Sequence, residues 1–152
     1  MKKSVFERMV EKAFSGLEAR YGFKKTETNF ENRSVIVRYQ NLTTEIIVNY
    51  EIGTKPWLEI SELKNPANKS TLGWLLVQEG VDKPPLPEQA FQPSTINESD
   101  LEPLLQKMGQ QLLDQGTALL KGDFSQMPKL QERARKYALE CDRFLSIRKS
   151  KS

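Results

Sequence analysis

Ser34-Val35-Ile36-Val37-Arg38-Tyr39, a short polar turn, then Glu45-Ile46-Ile47-Val48-Asn49-Tyr50 is the stretch on which the fold rests. Both runs are rich in β-branched and aromatic residues and are bounded by turn-formers, so they read as a β-hairpin. Side chains alternate across a strand. Val35, Val37 and Tyr39 therefore share one face with Ile46, Val48 and Tyr50, while Ile36 and Arg38 share the other with Glu45, Ile47 and Asn49. A turn centred on Asn41-Leu42 sets Gln40 opposite Thr43, Val37 opposite Ile46, Val35 opposite Val48, Arg38 opposite Glu45 and Ile36 opposite Ile47. Apolar then meets apolar and plus meets minus, a match that a slip of one residue destroys. One apolar face and one mixed face describe an antiparallel sheet covered on one side only.

Working outward, 4–21 reads as a helix with a Ser4/Glu7 capping box and an apolar stripe of Phe6, Met9, Val10, Ala13, Phe14, Leu17 and Tyr21. Gly22 supplies a left-handed stop, with Phe23 packing back. Its opposite face mixes acids and bases, which favours packing on the protein's own sheet over a membrane surface. Residues 24–30 form a polar edge strand with Thr26, Thr28 and Phe30 on one side. Residues 57–63 give a fourth strand, Leu58 and Ile60 extending the apolar face and Trp57, Glu59 and Ser61 the mixed one. Residues 65–70 read as a loop. The run Leu72-Gly73-Trp74-Leu75-Leu76-Val77 fits helix or strand by pattern, with a short helix ending near Gly80 favoured and Trp74 placed in the core.

Pro84, Pro85, Pro87 and Pro93 make 82–95 a stiff connector. A helix over 100–120 follows, capped by Ser99 or Asp100, with Gly109 and Gly116 on its seam marking the close approach of the last helix. That helix spans 128–147, with Leu130, Ala134, Tyr137, Cys141 and Phe144 on one side and Cys141 expected buried and inert. The expected architecture is α+β: an N-terminal helix, a four-stranded antiparallel meander with one apolar face, and a C-terminal antiparallel helix pair. A single domain over 1–147 ends in a basic disordered tail, 148–152.

Composition removes much chemistry. The 152 residues hold no histidine and one cysteine. Ser-His-Asp and Cys-His mechanisms, imidazole acid–base work and structural zinc are thereby disfavoured. Walker and dinucleotide patterns are absent, no carboxylate pair stands out, and no cofactor or metal ligand set is expected. Catalysis is not expected; carboxylate chemistry is the remaining route. No apolar run reaches the ~18 residues of a membrane span, and Met1-Lys2-Lys3-Ser4 starts no apolar leader, so the expected location is the cytoplasm.

Two surfaces remain. The mixed sheet face carries Ile36, Arg38, Glu45, Ile47, Asn49, Trp57 and Glu59, a few apolar groups among charges of both signs, which is the composition of a protein contact. The alternative is nucleic acid on the last helix, because from Lys121 onward the charge is +5 against −2 before it. Lys129, Arg133, Arg135 and Lys136 are its candidate residues. Interleaved Glu132, Glu140 and Asp142, inward aromatics and the lack of a nucleic-acid module make it the lesser reading. The helix–meander–helix-pair order is similar, in architecture and size, to small bacterial accessory proteins such as toxin-neutralising immunity proteins and secretion chaperones. That similarity implies a non-enzymatic protein binder whose partner is another protein or, through a twofold contact, a second copy.

Overall fold

Period-two alternation sorts the central strands into two faces, and this places every other element. The computed structural model describes residues 2–91 and 95–150. Strands β1 (Lys24–Glu31), β2 (Ser34–Gln40), β3 (Thr44–Glu51), β4 (Trp57–Glu62) and β5 (Asn65–Thr71) form one antiparallel sheet in chain order. Helices α1 (Lys3–Ala13) and α2 (Ser15–Tyr21) precede the sheet; α3 (Leu72–Gln78), α4 (Leu101–Gln115), α5 (Thr117–Leu120) and α6 (Met127–Ser150) follow it. The chain is α+β, with five strands where four are expected. Pro93 of the connector and Lys151 of the basic tail lie outside the described residues; Arg148 and Lys149, placed in a disordered tail by the sequence reading, belong to α6.

Val35, Val37, Tyr39, Ile46, Val48, Tyr50, Leu58 and Ile60 are all buried on one side of the sheet. They pack with Phe6, Val10, Phe14 and Leu17 of the N-terminal helices and Leu101, Leu105 and Leu112 of α4 in one core. Phe6 stacks on Tyr50 with ring centroids 4.9 Å apart. Burying each such side chain stabilises by roughly 1.5–3 kcal/mol, so this face carries most of the stability of the fold.

The register differs from expectation by two residues. Gln40 pairs with Glu45, Val37 with Val48 and Val35 with Tyr50. The reason is Asn41, whose backbone N–H donates to the Thr44 carbonyl at 3.1 Å and moves the tip of the turn to Leu42-Thr43. Its side-chain oxygen accepts the N–H groups of Thr43 and Thr44 at 3.0 and 2.8 Å. Its amide donates to the carbonyls of Tyr21 and Leu120, both at 3.1 Å. Thr44, fully buried, donates its hydroxyl to Leu119 O at 2.8 Å. Helix ends on the core side thus fix the turn. A shift of two leaves every side chain on its predicted face.

The boundaries of the earlier helices differ as well. α1 begins at Lys3 with Lys2 as an N-cap that makes no side-chain bond, so the Ser4/Glu7 capping box does not form. Glu7 faces Lys25 instead, at 3.4 Å. A bond to Glu11 then holds the Lys25 ammonium above its ordinary range. The first helix breaks at Phe14 (φ −108°, ψ 17°), and the 100–120 helix breaks at Gly116 and makes no side-chain cap through Asp100. Gly22 does end α2 in the left-handed region at φ 69°, and the Phe23 N–H reaches back to Leu17 O.

Residues 65–70, expected as a loop, lie instead in the edge strand β5, which has a register shift where it leaves β4. Pro66 is tolerated there because an edge strand leaves half its backbone unpaired. Helix α6 seals part of that edge, since Gln131 donates to the carbonyls of Ala67 and Lys69 at 3.1 Å each. Its main contacts are with α3, β5 and the turn at Pro87–Phe91, not with α4. Gly109 accordingly meets Ala13 of α1 rather than the last helix. Cys141, expected buried, is half-exposed on α6.

Candidate functional site

The second face of the sheet is built in rows by the strand registers. Glu27, Arg38, Ile47, Glu59 and Thr71 lie side by side across β1 to β5. The next row toward one end is Asn29, Ile36, Asn49 and Trp57; the next toward the other is Lys24, Gln40, Glu45, Ser61 and Lys69. All seven residues singled out for this face from the sequence therefore fall on it together. Asn49, at 9% exposure, is the most shaded of them, whereas Trp57 retains 45%. Ile36, Arg38, Glu45, Ile47 and Glu59 are half-buried by their strand neighbours. An element laid across the face would remove this exposure, so among the described residues no helix covers it.

Arg38 is its electrostatic centre. Nε stands 3.2 Å from Glu27 Oε2, and Nη1 donates to Glu45 Oε1 at 3.2 Å. Glu45 also accepts from Gln40 Nε2. The Arg38–Glu45 pair expected from the sequence is present, but as diagonal neighbours, since Ile47 is opposite Arg38. Glu27 faces Arg38 in the unbroken pairing that runs back from the turn at Asn32-Arg33, a register the hairpin alone does not set; the shift at Thr26 displaces only Lys25 and Lys24, which pair with Tyr39 and Gln40. Glu59 has no ion-pair partner among the described residues.

The basic candidates occupy a different surface. Lys129, Arg133 and Lys136 line a groove with Gln78 and Pro128, and Arg133 Nε donates to Gln78 at 2.8 Å. Arg135 does not join them; it pairs with Glu132. Beside this groove Trp74, placed in the core by its sequence context, is half-buried and meets Tyr137 edge-on at 5.3 Å. Tyr137 in turn donates to Leu86 O at 3.5 Å, so the aromatic pair holds the proline connector against α6. At most one carboxylate lines each of these grooves: Glu132 in the basic one, Asp82 and Glu140 in the two that border the aromatic pair.

Among the described residues no group of three His, Cys, Asp or Glu is placed to hold a metal, and no helix is long and apolar enough to cross a membrane. Compared with known proteins, the chain matches no family model, no curated protein and no solved structure.

Proposed function

We propose that this chain is a non-enzymatic, cytoplasmic protein-binding module of the accessory type, and that it engages a protein through the open face of its sheet. The observation that carries this reading is Trp57, 45% exposed on an uncovered face that also presents Ile36 and Ile47. Solvated sheet faces are served well enough by threonine and charged residues; an exposed tryptophan on a face that also carries two isoleucines is the composition of a binding hot spot. Arg38, already held between two carboxylates, gives the centre a fixed shape. Glu59, without a partner of its own, selects a partner surface that offers a cation next to an apolar group.

Affinity purification from the native host tests the reading. The wild-type chain is expected to recover a stoichiometric protein. Trp57→Ala combined with Arg38→Ala should reduce that recovery by roughly tenfold or more, as loss of a hot spot does. A double alanine at Lys129 and Lys136, on the basic groove instead, should leave recovery unchanged. Equal recovery by the sheet variant would discard this face.

A further inference from the structure

We infer that the protein seated on this face is a second copy of the same chain, related by a twofold axis that runs along β3. The inference rests on the face being a protein contact, and it names the partner. Two antiparallel sheets packed face to face keep their strands nearly aligned and about 10 Å apart. A twofold axis parallel to β3 between them sets β2 of one copy over β4 of the other, row on row. The chemistry of this face is matched to that operation. In the central row Arg38 meets Glu59 of the second copy, and Glu59 meets its Arg38, with Ile47 on Ile47 at the axis. In the adjoining row Ile36 meets Trp57 of the second copy and the reverse, while the two Asn49 amides face each other.

Each residue at the centre of the face thus finds its complement: the unpaired carboxylate a guanidinium, the exposed indole an isoleucine. An isologous contact requires this self-complementarity, with residue i meeting j and j meeting i. Two matches oppose it. Glu45 faces Glu45 across the axis, its charge already held by Arg38 and Gln40. Lys24 faces Lys69 at the solvated rim, where like charges cost least. From the strand spacing and rise the footprint is about 500 Å² per copy, or about 1,000 Å² in total, the low end for a specific interface. The dimer is therefore concentration-dependent.

Sedimentation of the purified chain over roughly 1–200 µM reads this out. The wild type should shift from monomer to dimer. Arg38→Glu sets carboxylate on carboxylate twice per dimer, and Glu59→Arg sets guanidinium on guanidinium twice; each alone should weaken association by roughly 100-fold or more. Mixing the two variants restores both pairs, so the mixture should form a heterodimer that neither variant forms with itself. Ile47→Asp, which places two charges on the axis, is a second disrupting variant should Arg38→Glu prove unstable beside Glu27 and Glu45. A wild type that stays monomeric, or a dimer indifferent to these changes, overturns the inference. If the wild type is monomeric and the Trp57/Arg38 variant still loses a captured protein, the contact face stands and only its occupant is different.

Discussion

Gly109→Ala is expected to lower the stability of the chain by about 3 kcal/mol, although alanine is the better helix former by about 1 kcal/mol. A Cβ at this position would lie 2.2 Å from the Ala13 carbonyl oxygen and 3.0 Å from its carbon. These are backbone atoms and have no rotamer in which to retreat. The oxygen must move by about 1 Å to reach ordinary contact, which drives α1 and α4 apart. Both helices are seated on the sheet through fully buried side chains, Phe6 and Val10 on one and Leu105 and Leu112 on the other, so the strain spreads through the core. Gly73 supplies the control. A Cβ there meets nothing nearer than Thr71 Oγ1 at 3.7 Å, so Gly73→Ala should be neutral or stabilising by up to about 1 kcal/mol. Urea unfolding of the pair of variants decides it: a midpoint that falls for Gly109→Ala and holds or rises for Gly73→Ala. Equal effects would mean that helix propensity, not the approach of Ala13, governs both positions.

Asn41→Ala should cost a similar amount, about 3 kcal/mol, for a different reason. One side chain accepts the N–H groups of Thr43 and Thr44 and donates to the carbonyls of Tyr21 and Leu120. Those carbonyls belong to the last turns of α2 and α5, where helices run out of internal donors. With the Thr43 hydroxyl, which also donates to Asn41 Oδ1 at 3.3 Å, five bonds at about 0.5–1.5 kcal/mol each bound the loss, and access of water from the adjoining groove keeps it below the sum. Asn41→Asp separates the two halves of the role. It can still accept from the turn, but it sets a negative charge against two carbonyls at the negative ends of helix dipoles, so it should be nearly as damaging as alanine. An aspartate variant as stable as the wild type in urea would show that the turn alone, and not the tie to the helix ends, matters at this position.

Asn41 also explains which parts of the fold were legible in the sequence. Alternation in Ser34–Tyr39 and Glu45–Tyr50 is a local property, so both faces of the sheet and all seven residues of the candidate site could be read directly. Register could not, because it is set by bonds from Asn41 and Thr44 to helix ends far along the chain. The error of two residues was harmless to the site, since an even shift preserves the face. Strand β5 was illegible for another reason: Asn65-Pro66-Ala67-Asn68-Lys69-Ser70-Thr71 buries only Ser70, so it has no apolar pattern to detect. It is a strand because β4 offers an edge and α6 covers it. Partner choice among helices was equally hidden. A stripe says that a helix packs, whereas the close approach at Gly109 belonged to α1, and α6 lies on α3 and β5.

On the function proposed above, the uncovered sheet face is where the protein meets another protein. A photo-crosslinking amino acid at Ile47, the middle of that face, tests it most directly, with the same probe at Lys107 on the exposed side of α4 as reference. Irradiation in the native host, followed by separation of adducts by mass, should give one discrete protein adduct from position 47 and none from position 107. An adduct of twice the chain mass would identify the second copy, and any other discrete mass a different protein on the same face. No adduct from position 47, or the same adducts from both positions, would contradict the account.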